Sequence, residues 1–158
     1  PAGGKGVKPV VAIAQLDTVR GLLSRQDPKQ FLFFTRTENG KRAGKEFLAR
    51  LEERTTGRDK PISPKSYVAQ LKACYRWGAT RPHDLSIIHH PVLLANGDHD
   101  RMLPTHNTLD MAQRLPDNEL VIYPDAGHGG IFQFHDQFVQ TALDFLDRDV
   151  STSDRGER

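Results

Sequence analysis

The chain has 158 residues, 37% hydrophobic and 27% charged, a balance that excludes wholesale disorder and fits one folded domain. With 22 Lys and Arg against 20 Asp and Glu, the net charge of +2 predicts neither a nucleic-acid nor an acidic-membrane partner. The single cysteine, Cys74, excludes an internal disulfide, and no apolar run approaches the roughly 20 residues of a membrane span.

The chain begins with Pro1-Ala-Gly-Gly rather than with methionine, and its start lacks the apolar stretch of a signal peptide. We therefore expect a processed product or a fragment of a longer protein, located in the cytoplasm. Residues 1–9 are predicted to form a loop that leads into the first helix.

The first half of the chain has the hydrophobic spacing of helices. Apolar residues between Leu16 and Leu23 predict an amphipathic helix that ends near Asp27-Pro28. The dense cluster Phe31–Phe34 suits the first turn of the next helix, because proline is favoured at a helix start. This cluster is expected either to pack in the core of the helical region or to line an apolar pocket for an acyl group.

Two further helices are predicted before residue 80. The segment Glu46–Arg54 carries apolar residues on one side only, and the turn residues that follow it predict a loop. Ser63 and Pro64 have the pattern of an N-cap and a first helical position. The helix that they begin is expected to end near Gly78.

The second half alternates between strand and helix patterns. The run Pro91–Asn96 suits a buried parallel strand, Thr105–Leu115 a helix, Leu120–Tyr123 a second strand, and Phe138–Leu146 a final amphipathic helix. A repeated strand–helix unit implies parallel strands joined by a right-handed crossover. The polar tail at 148–158 is expected to be disordered.

Acidic residues and a histidine follow the two predicted strands directly. Asp98 and Asp100 come just after the first strand, and His128 comes just after the second. Functional side chains in open α/β sheets gather at the carboxyl ends of the strands, and adjacent strands lie about 4.8 Å apart. An aspartate there can accept the Nδ1–H of the histidine and leave its other nitrogen free to take a proton from a nucleophile.

These two turns resemble the acid-bearing turn and the histidine loop of α/β-hydrolase fold enzymes. The resemblance is carried by Gly97-Asp-His-Asp-x-x-Leu-Pro104 and by Leu120-Val-Ile-Tyr-Pro-Asp-Ala-Gly-His-Gly-Gly130. It implies an α/β fold, the C-terminal βαβα portion of the hydrolase's parallel sheet preceded by a helical cap. On this resemblance, residues 10–85 would be the cap and residues 86–147 the C-terminal part of the core.

The resemblance also implies residue roles. Asp100 occupies the position of the catalytic acid and His128 that of the general base, while Asp98 is the second choice for the acid and better suited to hydrogen-bond the turn. Asp98, Gly127 and Gly129 are candidates to line the site, the glycines by letting the backbone approach a substrate. His99 is expected to be a solvent-facing turn residue, and the alternative is that it also lines the site.

The third member of the triad is not apparent in the sequence. None of the six serines lies in a Gly-x-Ser-x-Gly turn, so we expect the nucleophile, Ser or Asp, and the oxyanion donors to lie upstream of this chain. The parent protein is then predicted to hydrolyse an ester or related carbonyl group of a small molecule. The alternative is an inert fragment or interaction module that associates with itself, or with the missing N-terminal half of the fold, through an open sheet edge.

Neither a metal nor a cofactor is predicted. His89, His90, Asp98, His99 and Asp100 are close in sequence, but the chain lacks the ligand spacing that places two metal ligands on one helix face.

Overall fold

The computed structural model of the chain describes residues 9–148. A helical region comes first, and a small sheet with its helices follows. The elements in chain order are α1 (Pro9–Ser24), α2 (Pro28–Phe33), α3 (Glu38–Glu53), α4 (Pro64–Gly78), β1 (Val92–Gly97), α5 (Thr105–Arg114), β2 (Asn118–Tyr123), α6 (Gly130–Gln133) and α7 (His135–Asp147).

Short polar side chains cap the starts of three helices. Asp27 accepts a hydrogen bond from a backbone N–H at the start of α2, Thr37 does so for α3, and Ser63 does so for α4. Each cap satisfies an N–H group that has no partner within its own helix. The prediction that Ser63 and Pro64 begin a helix is confirmed.

Helix α3 is longer than the segment Glu46–Arg54 that its apolar residues predicted. It begins at Glu38, and its first half contains Gly40 and Gly44, which carry no hydrophobic signal. Both glycines are buried, and a side chain at either position would collide with the connection before α3 or with Gln30 of α2. The close packing of α2 on α3 therefore explains why this half of the helix is poor in apolar residues.

The two strands pair in parallel, as their alternation with helices predicted. The register runs from Val92 opposite Asn118 to Gly97 opposite Tyr123, so that both strands end at the same edge of the sheet. Helix α5 connects the strands and packs against β1. The short helix α6, which the sequence analysis did not predict, lies between the second strand and α7 and also contacts β1.

A cluster of aromatic residues joins the helical region to the sheet region. Phe34 and Phe47 are buried with Ala43, and the ring of Phe47 lies 4.9 Å from that of Phe132 in α6. The sequence of Phe31–Phe34 is compatible with a place in a core or in a pocket, and Phe34 is a core residue at 3% exposure. The aromatic cluster therefore holds α3 and the end of α2 against α6.

The predictions for the two ends of the chain concern residues that lie largely outside the described range. Residues 1–8 of the predicted leading loop and residues 149–158 of the predicted disordered tail lie outside the described residues, whereas Pro9 already belongs to α1. Across residues 9–148, no helix combines the length and the apolar character needed to cross a membrane.

Candidate active site

Asp100 and His128 meet at the edge where both strands end. Nδ1 of His128 lies 2.9 Å from Oδ2 of Asp100, with the Asp100 side chain 1% exposed and that of His128 31% exposed. The parallel register of β1 and β2 makes this contact, because the turn after each strand emerges beside the other. Among residues 9–148, the bond to Asp100 is the one hydrogen bond of the imidazole, so Nε2 is left free.

The second carboxylate oxygen of Asp100 is fixed by its own turn. Oδ1 accepts hydrogen bonds from the backbone N–H groups of Met102 at 2.8 Å and Leu103 at 2.9 Å. With both oxygens engaged, the carboxylate has a defined orientation, and Oδ2 is directed at the imidazole. We therefore place the imidazole proton on Nδ1, which leaves Nε2 as an acceptor that can take up a proton.

Asp98 has a different set of contacts from Asp100. Its Oδ1 accepts from the backbone N–H of Ala126 at 3.2 Å and lies 2.6 Å from Nδ1 of His99. Partial burial works to raise the pKa of Asp98, but the hydrogen bonds from His99 and Ala126 outweigh it and hold the pKa below its usual value. Asp98 therefore links the acid-bearing turn to the histidine loop, and its hydrogen bonds are to His99 and Ala126 rather than to His128.

His99 projects from the same turn with its side chain 69% exposed. The hydrogen bond with Asp98, and the negative charge of that carboxylate, raise the pKa of His99 above its usual value. The ring lies at the margin of a cleft and makes its ion pair within the turn.

Gly127 and Gly129 flank His128 and lie against the end of α2. A Cβ at Gly127 would be 2.7 Å from the carbonyl oxygen of Phe33, and the backbone N–H of Gly129 donates to that same oxygen at 2.7 Å. The absence of side chains thus permits a close approach of two backbone segments. In the structure the backbone at Gly127 and Gly129 lies close to the end of α2. That this backbone also approaches a substrate remains a prediction.

Asp125 is a residue of this region that the sequence analysis did not single out. Its carboxylate accepts hydrogen bonds from the side chains of Thr35, Thr37 and Asn39, which lie 86 to 90 positions earlier in the chain. Burial works to raise the pKa of Asp125, but these hydrogen bonds outweigh it and lower the pKa. The sequence signal for Asp125 was its place in the turn Pro124-Asp-Ala-Gly127, because Asp adopts the left-handed backbone found there, with φ of 48°, more readily than most residues.

Two clefts lie on either side of the Asp100 turn. One, of 480 Å³, is lined by Asp100 and His128, by Phe33 of α2 and by residues of β1, α5 and α6. The other, of 590 Å³, is lined by His99, Asp100, Asp125 and Gly127 and by Phe31 and Phe34. Of the two clefts, the first has His128 among its lining residues and runs beside β1.

None of the serines in residues 9–148 is hydrogen-bonded to His128. Those that the structure describes, Ser24, Ser63, Ser66 and Ser86, are all exposed, and their hydrogen bonds are to nearby residues of their own helix or loop. The described part of the chain therefore contains an acid–histidine pair without a hydroxyl group bound to the histidine.

The chain is similar to known hydrolases in sequence and in structure. Residues 60–152 match the model of the TAP-like protein family of α/β-hydrolases. An alpha/beta hydrolase fold protein from Chitinophaga pinensis is 34% identical, with 94% of this chain and 54% of that chain covered and a TM-score of 0.79. No curated protein matches the chain.

More distant structures share the fold. They include a thermophilic esterase from Thermogutta terrifontis, 18% identical with a TM-score of 0.56, which covers 92% of this chain and 52% of its own length. A 2-hydroxy-6-oxo-6-phenylhexa-2,4-dienoate hydrolase from Rhodococcus sp. strain RHA1 is 16% identical with a TM-score of 0.53, covering 94% of this chain and 52% of its own. The chain thus spans about half the length of these relatives.

Proposed function

The chain belongs to the TAP-like protein family of α/β-hydrolases, and on that premise we propose that it supplies the acid and the general base of a hydrolase's catalytic triad. The observation that carries the proposal is the 2.9 Å contact between Nδ1 of His128 and Oδ2 of the buried Asp100. In this proposal Asp100 orients the imidazole and stabilises its protonated form, and His128 moves the proton.

The nucleophile is proposed to come from the half of the fold that precedes this chain. The chain covers 54% of its 34%-identical relative, which leaves a large part of that fold without a counterpart here. Nε2 of His128 would take the proton of an upstream hydroxyl group while the oxygen of that hydroxyl group forms a bond to the substrate carbonyl carbon. The imidazolium would then give that proton to the departing alkoxide, and water would release the acyl group by the same route.

The proposed substrate is a small molecule with an ester or related carbonyl group. The cleft beside His128 has a mixed lining, with Leu93, Leu103 and Met111 among its apolar residues and Asn96 among its polar ones. Such a lining suits an uncharged carbonyl compound better than a highly charged one. The same proposal has a second form in which the upstream nucleophile is an aspartate rather than a serine.

The proposed division of the chain is a helical cap at 10–85 and a core portion at 86–147. In this arrangement α1 to α4 cover the site, and β1 and β2 contribute two neighbouring strands of a larger parallel sheet. Leu16 of α1, Leu23 of α1 and Leu146 of α7 are each more than two-thirds exposed, as expected of surfaces that the upstream half of the core would cover.

The second candidate function is an inert fragment or interaction module. It is favoured by the two-stranded sheet itself, because one edge of β1 pairs with β2 and its other edge has no strand beside it among the described residues. An open edge with apolar residues around it promotes association with another chain or with a second copy. Sedimentation velocity on the isolated chain would detect this association as dimers or larger species.

The test of the proposed function is ester turnover by the chain joined to its upstream half. With p-nitrophenyl acetate, His128→Ala should reduce kcat by about a thousandfold or more, since the proton acceptor is removed. His106→Ala, in the exposed first turn of α5, is the matched control and should retain activity. Full activity in His128→Ala would contradict the proposal and favour a site elsewhere.

A further inference from the structure

We propose that Asp125 is a positioning residue for His128, held by Thr35 and Thr37 of the α2–α3 connection (residues 34–37) and by Asn39 of α3. The inference rests on the proposed function of His128 as a general base. In this inference the helical region holds the histidine loop directly, through the Asp125 carboxylate three residues before His128.

The first support is the number of side chains that converge on one carboxylate. Oδ1 of Asp125 accepts from Thr35 at 3.0 Å, and Oδ2 accepts from Asn39 at 3.1 Å. The one hydroxyl proton of Thr37 is shared between the two oxygens, with Oγ1 lying 3.0 Å from Oδ1 and 2.9 Å from Oδ2. All three donors come from a segment far away in sequence. Hydrogen bonds to a charged acceptor are stronger than those between neutral groups, so this contact is a firm one.

The second support is that the loop is also held on the other side of His128. The N–H of Gly129 donates to the carbonyl of Phe33 at 2.7 Å, and the Phe33 ring centroid lies 5.7 Å from that of His128. The imidazole therefore lies between two attachments to the same short segment at the end of α2. A shift of that segment would move the histidine loop with it.

The third support is the backbone of Asp125 itself. Its φ of 48° lies in the left-handed region, and its carbonyl oxygen accepts from Nε2 of Gln133 at 3.1 Å. Glycine makes a turn of this kind most easily, so an aspartate at this position carries some conformational cost, although less than most other residues would. The carboxylate contacts to Thr35, Thr37 and Asn39 offset that cost, which indicates that the side chain is used.

The fourth consideration is what loosening the loop would do. The contact between Nδ1 of His128 and Oδ2 of Asp100 spans 2.9 Å between two different turns. Backbone N–H groups of its own turn fix the Asp100 carboxylate, whereas among residues 9–148 the His128 side chain has no hydrogen bond besides this contact, so its position follows that of its loop. Freeing the histidine loop would lengthen or break this contact without removing either partner. Displacement of a catalytic group by about 1 Å can reduce turnover by about a hundredfold.

The test uses variants at Asp125 that do not strain the turn. Asp125→Gly keeps the left-handed backbone available and removes every carboxylate contact, whereas Asp125→Asn tolerates the same backbone and keeps one acceptor oxygen. Thr35→Val removes a donor from the opposite side with almost no change in volume. Ser63→Ala is the matched control, because it removes the side-chain cap of α4, a helix that contributes none of the hydrogen bonds to the histidine loop described above.

The primary measurement is the hydrogen-bonded Nδ1 proton of His128, observed by NMR in the 158-residue chain. We expect Asp125→Gly to lose this resonance or to exchange it with water about tenfold faster, with a smaller effect in Thr35→Val. Asp125→Asn should recover most of the signal, and Ser63→Ala should lower Tm while leaving the signal unchanged. An unaltered resonance in Asp125→Gly would overturn the inference.

Kinetics separate this inference from the proposed function. In the active hydrolase Asp125→Gly should lower kcat about tenfold or more with KM nearly unchanged, because the loop positions the base and does not bind substrate. If His128→Ala were fully active, the proposed function would fail whatever the NMR result. If His128→Ala were inactive and Asp125→Gly had normal kcat and a normal resonance, the positioning role alone would fail.

Discussion

Nδ1 of His128 lies 2.9 Å from Oδ2 of Asp100, and each residue comes from the turn after a different strand. The contact joins positions 28 residues apart through the parallel pairing of β1 (Val92–Gly97) and β2 (Asn118–Tyr123). It depends on how closely the two turns pack, which several substitutions can test.

Gly97→Ala should destabilise the chain by about 1–3 kcal/mol, because the added Cβ would collide with the backbone carbonyl of Ala126. Backbone atoms cannot move aside as the end of a flexible side chain can. Urea denaturation measures the loss. The control is Gly57→Asn in an open loop with φ of 61°, which asparagine tolerates and which should change stability by less than about 0.5 kcal/mol.

Phe47→Ala should cost about 3–5 kcal/mol, since it empties the centre of the aromatic cluster that joins α3 to α6. The matched control is Leu51→Ala, one turn further along the same helix and 42% exposed, which should cost less than about 1 kcal/mol. Equal denaturation midpoints for the two variants would show that the cluster is not the core of this region.

Arg101→Met should destabilise the chain more than Asp17→Asn does. Asp17 of α1 is buried with its side chain 3% exposed, and its Oδ2 lies 3.2 Å from Nη1 of Arg101, whose side chain is 44% exposed. Loss of the arginine leaves a buried carboxylate unpaired, at a cost of roughly 1–3 kcal/mol after allowance for solvent screening.

A double-mutant cycle on Arg101 and Asp17 isolates their interaction, expected at about 0.5–2 kcal/mol. The cycle is measured by urea denaturation of both single variants and the double variant. Strictly additive effects would mean that the ion pair does not couple α1 to the acid-bearing turn.

Acidification should destabilise the chain in part through Asp125. Hydrogen bonds from Thr37, Asn39 and Thr35 outweigh burial and lower its pKa below the ordinary value of 3.8, so the folded state favours the charged form. That contribution is present above pH 3.8 and is lost as the pH falls through the lower folded-state pKa.

Asp125→Asn should therefore flatten the fall of Tm between about pH 5 and pH 2, although Asp98, whose pKa is also lowered, preserves part of it. Thermal unfolding of the two proteins at matched ionic strength measures the difference. Parallel Tm curves over this range would show that the Asp125 carboxylate contributes nothing to acid stability.

The strand ends were predictable because two short apolar runs, each followed by glycine-flanked polar residues, fix both the strands and the edge where they meet. Asp100 and His128 therefore came together as expected, and the strand boundaries differ by only one or two residues. The helix start at Ser63 was predictable because it depends on neighbouring residues alone. Serine followed by proline specifies a helix start without any tertiary contact.

Contacts between distant segments could not be predicted in the same way. The hydrogen bonds from Thr35, Thr37 and Asn39 to Asp125 depend on the packing of α2 and α3 against the histidine loop. The first half of α3 was not predicted for a related reason. Gly40 and Gly44 allow close packing against neighbouring segments and add no apolar residues to the sequence pattern.

The choice between Asp100 and Asp98 as the acid is the most direct test of the account, and kcat of the two asparagine variants in the active hydrolase measures it. In Asp100→Asn the amide oxygen should keep the N–H groups of Met102 and Leu103, so the amide nitrogen would face His128 and force the wrong tautomer. We expect kcat to fall about a thousandfold to ten-thousandfold in Asp100→Asn, and less than about tenfold in Asp98→Asn. An active Asp100→Asn enzyme, or an equal loss in Asp98→Asn, would contradict the assignment of Asp100 and His128 as the catalytic pair.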